Sequence, residues 1–121
     1  MNSKKTLVLG ASSNPNRYSF RAANSLINHQ HQIILVGNKA GKVNEISILQ
    51  SIPKNITIDT VTIYLGAKNQ TEYYNDLIEL KPRRIIFNPG AENPALERLA
   101  LENEIEVENS CTLVLLSTEQ Y

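Results

Sequence analysis

The residues best placed to bind an anion follow the first apolar run of the chain, in the stretch GASSNPNRYS at positions 10–19. A strand that ends at a glycine and leads through small polar residues into a helix is the outline of a nucleotide-binding turn. The second glycine of the usual G-x-G-x-x-G fingerprint is absent, because Ala11 and Ser12 follow Gly10. Backbone N–H groups at the start of the helix still point toward an incoming anion.

This turn is predicted to be a phosphate site, and a purely structural strand-to-helix turn is the alternative. The side chain of Ser12 narrows the space through which a pyrophosphate reaches the backbone, but it adds a hydroxyl donor. Arg17 adds a cation near the helix start. The candidate ligand contacts in this turn are Gly10, Ala11, Ser12, Ser13, Arg17, Tyr18 and Ser19.

The end of the second predicted strand adds Gly37, Asn38 and Lys39 to the candidate contacts. An NAD site has an acidic residue at this place, which accepts a hydrogen bond from the ribose 2′-OH. Here no carboxylate occurs until Glu45. A lysine suits a phosphorylated ribose instead, either the 2′-phosphate of NADP or the 3′-phosphate of coenzyme A. A solvated loop lysine is the alternative.

Other reactive side chains give no pattern typical of catalysis or of metal binding. His29 and His31 lie in a turn at the predicted amino end of the sheet, and no Cys–His cluster accompanies them. Glu92 and Glu97 suit a helix start, where the helix dipole favours carboxylates. Cys111 is interpreted as a small buried apolar side chain, with thiol exchange as the alternative. We therefore predict a binding module with no catalytic residue and no metal.

Composition sets wider limits on the kind of protein. The 121 residues predict one domain, residues 1–121, and are 41% hydrophobic with a formal net charge of zero. A balanced charge gives no support to a nucleic-acid partner, and no window reaches the ~18 apolar residues of a membrane span. One cysteine and no pattern of a secretory signal lead us to expect a cytoplasmic protein.

Five strands are predicted, at residues 6–9, 32–37, 59–66, 83–88 and 104–109, and the first two are apolar enough to be buried. A helix with apolar residues at i, i+3 and i+7 is predicted at about 17–28. A second helix is predicted to start at the capping-box pair Asn69 and Glu72 and to stop at Lys81-Pro82. A third begins with Asn93 as its N-cap and Pro94 as its first residue.

Two segments are less decided. Residues 45–50 are predicted to hold one short helix, and the type of the last apolar segment, residues 111–117, stays open.

Alternation of strands and helices predicts an α/β fold of three layers, with a parallel sheet of about five strands and helices on both faces. Ligands of such sheets bind at the carboxyl ends of the strands. This edge adds further candidates, which are Leu65, Asn88, Pro89, Gly90 and Asn93.

The sequence also resembles a known family. The segments that carry the resemblance are LVLGASSNPNRYSFRAANSLINHQHQIILVGNK (7–39), DTVTIYL (59–65), RIIFNPGAEN (84–93) and EIEVENSCTLV (104–114). They are similar to the small single-domain CoA-binding proteins, which are relatives of the N-terminal domain of the succinyl-CoA synthetase alpha subunit. The most specific motif is G-A-S-x-x-P with a serine four residues after the proline. Gly37 and the turn before Gly90 depart from the commonest family form.

The resemblance implies a Rossmann-like domain that binds CoA or an acyl-CoA through the turns at Gly10, Asn38 and Gly90. It implies a non-catalytic carrier, sensor or partner module, because the phosphorylated histidine of the synthetases belongs to a second domain that this chain lacks. It leaves open a homodimer or an unidentified protein partner. Two other functions remain as alternatives, an NADP-binding reductase-like protein and a nucleotide-sensing regulatory module.

Overall fold

The computed structural model describes residues 3–121, and within that range the chain forms seven strands and four α-helices. The strands are β1 (Thr6–Leu9), β2 (Ile33–Val36), β3 (Lys42–Val43), β4 (Ile46–Leu49), β5 (Thr60–Ile63), β6 (Arg84–Phe87) and β7 (Glu106–Asn109). The helices are α1 (Tyr18–Asn28), α2 (Tyr74–Leu80), α3 (Pro94–Glu102) and α4 (Thr112–Ser117).

All strands belong to one sheet with the order β3-β4-β2-β1-β5-β6-β7. Every pairing is parallel except that of β3 with β4. The six parallel strands therefore have the order of a doubly wound nucleotide-binding sheet. In such a sheet the first strands are added on one side of β1 and the later strands on its other side. The predicted α/β fold with a parallel sheet and helices is confirmed.

Two apolar cores lie on opposite faces of the sheet, because successive side chains of a strand point to opposite faces. Leu7 and Leu9 pack in one core with Leu77 of α2 and Leu96 of α3. Val8 packs in the other core, where α1 contributes Ala23 and Leu26 and α4 contributes Leu116. The same alternation places helices on both faces, as the pattern of strands and helices predicts.

The short helix predicted at residues 45–50 is wrong, since this segment forms a β-hairpin. Asn44 and Glu45 both have positive φ, 49° and 71°, and form the two-residue turn between β3 and β4. Turns with two left-handed residues match the twist of a hairpin. Ile46 and Ile48 pack against the core while Ser47 is exposed, which is the period of a strand. The sheet thus has two more strands than the sequence predicted.

The capping box predicted at Asn69 and Glu72 is also wrong. Two 3₁₀ turns, Ala67–Asn69 and Thr71–Tyr73, precede α2, which begins at Tyr74 without a side-chain cap. The predicted end of the helix is confirmed, because Lys81 adopts the left-handed conformation with φ 48°. The turn that follows β5 is therefore longer than predicted.

The predictions at the start of α3 are confirmed, and the undecided last segment forms α4. The side chain of Asn93 accepts a hydrogen bond from the backbone N–H of Leu96 over 3.1 Å, and Pro94 is the first helical residue. Within residues 3–121, no helix combines the length and the apolar character needed to cross a lipid bilayer.

Candidate functional site

A cavity of about 1020 Å³ lies at the carboxyl ends of β1, β2, β5 and β6. Its volume is at the upper limit of the ~300–1,000 Å³ typical of small-molecule and cofactor sites. Nearly all of the predicted contacts line it: Gly10, Ala11, Ser12, Ser13, Arg17, Tyr18, Ser19, Gly37, Asn38, Lys39, Leu65, Pro89 and Gly90. Asn88 and Asn93 do not belong to its walls.

Gly10 is required by packing within the protein. Its φ of 93° is unfavourable for any other residue, and a Cβ atom would lie 2.9 Å from the backbone of Tyr64. The N–H groups of Gly10 and Ala11 both donate to the carbonyl of Val36 over 2.9 Å. Donors for a ligand must therefore come from residues farther along the turn.

The N-terminus of α1 supplies such donors. Arg17 is the N-cap residue, its backbone is extended, and no side chain in the described part of the chain caps the helix. Within residues 3–121, the N–H groups of Tyr18 and Ser19 have no acceptor, as is usual for a first helical turn. Earlier in the loop, the backbone N–H of Asn14 donates a hydrogen bond to the Oγ of Ser12 over 3.0 Å. The open end of this helix, with its positive dipole, can bind an anion in the cavity.

The turn after β2 packs directly on the turn after β1. A Cβ atom on Gly37 would lie 2.4 Å from the carbonyl oxygen of Ala11, so only glycine fits there. A Cβ atom added to Gly41 would likewise lie 2.9 Å from the Oγ of Ser13. This contact carries Asn38 and Lys39 to the cavity beside the open helix end. In the described part of the chain, Lys39 and Arg17 take no part in an ion pair.

Asn88 is buried and holds the carboxyl end of β6 in place. Its amide nitrogen donates to the hydroxyl of Thr62 over 2.7 Å and to the carbonyl of Ile63 over 2.9 Å. Its amide oxygen accepts the backbone N–H of Thr112 over 2.8 Å, which fixes the start of α4. These bonds occupy the side chain, so the structure gives Asn88 a bracing role in place of the predicted ligand contact.

Asn93 is likewise committed to structure. Beyond capping α3, its amide nitrogen donates to the hydroxyl of Tyr74 over 2.8 Å and to the Oε1 of Gln70 over 2.9 Å. Gln70, which the sequence analysis missed, is fully buried and donates from Nε2 to the carbonyls of Leu65 and Ala91 over 2.8 and 2.7 Å. Gln70 thus joins the two cavity turns that follow β5 and β6.

The sequence analysis also missed several residues of the cavity wall. They are Asn14, Asn16, Ala40, Tyr64, Gly66, Asn69, Glu72, Tyr73 and Ala91. Most flank predicted contacts in the same turns, which was a usable signal. No signal in the sequence indicated Glu72 and Tyr73, because the predicted helix placed both on its first turn. Burial and the neighbouring Glu72 carboxylate raise the pKa of Tyr73 above its usual value, so its phenol stays protonated at neutral pH.

The other reactive candidates lie outside the cavity walls. His31 lies at the amino end of β2, and its Nδ1 accepts a hydrogen bond from the backbone N–H of Lys4 over 2.9 Å. Glu92 accepts the N–H of Gly90 over 2.9 Å. Cys111 is half-buried at the N-cap of α4, which corrects its interpretation as a buried apolar residue. Among residues 3–121, no three His, Cys, Asp or Glu side chains are grouped so that they could hold a metal ion.

The fold is a doubly wound α/β domain with a cavity at the point where its strand order reverses. A family model described as "CoA binding domain" matches residues 4–117, and the chain belongs to that family. The resemblance noted in the sequence is thereby confirmed.

Solved structures agree with this assignment of the fold. One crystal structure, of a protein described as uncharacterized, is 45% identical, has a TM-score of 0.97 and is matched over 100% of both chains. A hypothetical protein from Pyrococcus horikoshii OT3 is 22% identical with a TM-score of 0.85, covering 96% of this chain and 82% of the other. A Thermus thermophilus structure is 16% identical with a TM-score of 0.87, covering 98% and 91%. No curated protein matches the chain at significant similarity.

Proposed function

We propose that this protein binds coenzyme A or an acyl-CoA in the cavity at the carboxyl edge of its sheet. The observation that carries the proposal is the uncapped N-terminus of α1, which opens into this cavity together with Arg17 and Lys39. Helix-start amides and two cations that find no partner within residues 3–121, together with a positive helix end, suit a ligand that carries several phosphates. Membership of the CoA binding domain family supports CoA as that ligand.

In this proposal the pyrophosphate lies against Ser12, Ser13 and the first amides of α1. Lys39, on the adjacent turn, approaches the phosphorylated ribose. The pantetheine arm then runs along the sheet edge toward Leu65 and Gly90, since the cavity continues over those turns. Asn88 and Asn93 contribute only by bracing the walls.

We further propose that the protein acts without chemistry of its own, as a carrier, sensor or partner module. Tyr73 places a phenol on the cavity wall, and the pKa of this phenol is raised. It therefore stays protonated at neutral pH and cannot accept a proton as a base. The thiol of Cys111 and the imidazoles of His29 and His31 lie outside the walls. Action on a cytoplasmic CoA pool, through a homodimer or a second protein, is part of the same proposal.

An NADP-binding protein is the second candidate, because Lys39 would suit a 2′-phosphate as well as a 3′-phosphate. Native mass spectrometry of the purified protein tests both, since a retained ligand is identified by its mass. Calorimetry with CoA and NADP completes the test. Tighter binding of CoA supports the proposal, whereas tighter binding of NADP replaces it with the second candidate.

A further inference from the structure

Tyr18 places an exposed aromatic ring on the wall of the cavity. It is the first residue of α1, and its side chain is 66% exposed. Of the large apolar side chains exposed within residues 3–121, Tyr18 is the one that lines the cavity. Aromatic side chains are frequent in the walls of cofactor sites, because a flat ring offers a large contact area to a ligand.

One face of this ring is covered by Arg21. The guanidinium carbon of Arg21 lies over the ring of Tyr18, 5.4 Å from its centroid, which is a cation–π contact. The two residues are three positions apart on α1, so their side chains are neighbours on the helix surface. The contact holds the ring in place and leaves its opposite face to a flat ligand group.

Tyr18 lies on the same side of the cavity as Lys39. The helix that it begins, α1, packs on β2 and β3, and Lys39 belongs to the connection between those two strands. Leu65 and Gly90 belong to the turns after β5 and β6, which are strands on the other side of β1. The cavity therefore has one half bounded by Tyr18 and Lys39 and another half bounded by Leu65 and Gly90.

The backbone of Tyr18 connects this ring to the phosphates. Within residues 3–121 its N–H has no acceptor, and it is one of the helix-start amides to which the proposed function assigns the pyrophosphate. The amide and the ring belong to one residue, so they are separated by no more than a side-chain length. In CoA one ribose joins the adenine to the pyrophosphate and also carries the 3′-phosphate. A pyrophosphate at the amide and a 3′-phosphate near Lys39 therefore bring the adenine beside the ring.

We propose that the adenine of CoA stacks on the face of Tyr18 that Arg21 leaves open. The adenosine half of the ligand is then bound by Tyr18 and Lys39, and the pantetheine arm occupies the half of the cavity beside Leu65 and Gly90. This inference rests on the proposed function, because the phosphates determine where the base lies. Stacking on an aromatic ring adds affinity for a base without a hydrogen bond to its edge.

The test compares CoA with adenosine 3′,5′-bisphosphate, which contains the adenine and the phosphorylated ribose without the pantetheine arm. Calorimetry gives the Kd of each ligand for the wild type, Tyr18→Ala and Tyr18→Phe. Tyr18→Ala should weaken the binding of both ligands by the same factor, about fivefold to a hundredfold, the range typical of base–aromatic stacking. Tyr18→Phe keeps the ring and should bind both ligands nearly as tightly as the wild type.

Leu101→Ala is the matched control, because Leu101 is an exposed apolar residue on α3 and does not line the cavity. Its Kd values should equal those of the wild type. Unchanged Kd values in Tyr18→Ala would overturn the inference, and so would a loss confined to CoA, which would place the ring against the pantetheine arm. A wild type that binds CoA but not the bisphosphate would overturn it as well. In these three cases CoA binding stands, whereas a wild type that binds neither ligand contradicts the proposed function itself.

Discussion

Asn93 donates a hydrogen bond from its side-chain amide to the Oε1 of Gln70 over 2.9 Å, and both side chains are buried. This bond ties the N-cap of α3 to the turn that follows β5. Since Gln70 also binds the carbonyls of Leu65 and Ala91, one side chain sets the positions of two cavity walls. The shape of the site therefore depends on a residue that is not among those lining the cavity.

Replacing Gln70 with alanine is expected to lower the free energy of unfolding by about 1–3 kcal/mol, because the carbonyls of Leu65 and Ala91 and the Asn93 amide lose a partner. CoA affinity should also fall, since the turns after β5 and β6 are released. Urea denaturation and calorimetry measure the two effects. Gln32→Ala, at an exposed position, is the control and should change neither. Wild-type stability in Gln70→Ala would contradict the bracing role.

Gly37→Ala is expected to destabilise the protein by about 1–3 kcal/mol through overpacking, because the new Cβ would clash with the Ala11 carbonyl 2.4 Å away. CoA binding should weaken, since the clash displaces the turn at Ala11. Gly66→Ala is the matched control on the same cavity wall. No atom of residues 3–121 lies within 4 Å of its added Cβ, so this variant should keep wild-type stability or exceed it. Equal melting temperatures for the two variants would refute the packing argument.

Lys39→Ala is expected to reduce the preference for CoA over dephospho-CoA, which lacks the 3′-phosphate. A charge-assisted contact contributes roughly 1.5–3 kcal/mol, about a tenfold to hundredfold affinity ratio, and exposure and salt reduce it. Binding itself should persist through the turn at Gly10. Lys42→Ala, exposed on β3 and outside the cavity wall, should keep the wild-type ratio. Equal affinity of the wild type for both ligands would place the 3′-phosphate in solvent.

His31 is expected to make stability depend on pH in the mildly acidic range. Burial first, and the nearby Lys4 charge second, lower the pKa of His31 below its usual 6.5. Because the folded state resists protonation, the unfolded state binds the proton first. The stabilising effect is therefore complete above about pH 6.5 and is lost as the pH falls toward the folded-state pKa, by at most ~1.4 kcal/mol per pH unit.

Urea denaturation between pH 5 and 7.5 measures this dependence. His31→Asn should flatten the curve, whereas His29→Asn should reduce its slope only slightly, because burial and Lys4 lower the pKa of His31 more than His29 does. A His31→Asn curve as steep as that of the wild type would show that another group is responsible.

Several features could be predicted from the sequence because their physical causes are local. The apolar run before Gly10, the period of α1 and the Asn93-Pro94 helix start each depend on residues within a few positions of one another. Parallel strands also gather their following turns at one edge. The sequence therefore predicted a phosphate-binding turn at Gly10–Ser19 and a lysine beside it, and the structure brings these residues together around one cavity.

Only the tertiary structure decided which polar residues of those turns can meet a ligand. Asn88 and Asn93 look like ligand contacts in the sequence, yet their hydrogen-bonding groups are used by Thr62, Thr112, Gln70 and Tyr74. Those partners lie 19 to 26 positions away in the chain. Glu72 reaches the cavity because two 3₁₀ turns delay the start of α2. Such outcomes depend on how distant segments compete for the same buried donors and acceptors, and this competition is settled only when the sheet and its two helical layers assemble.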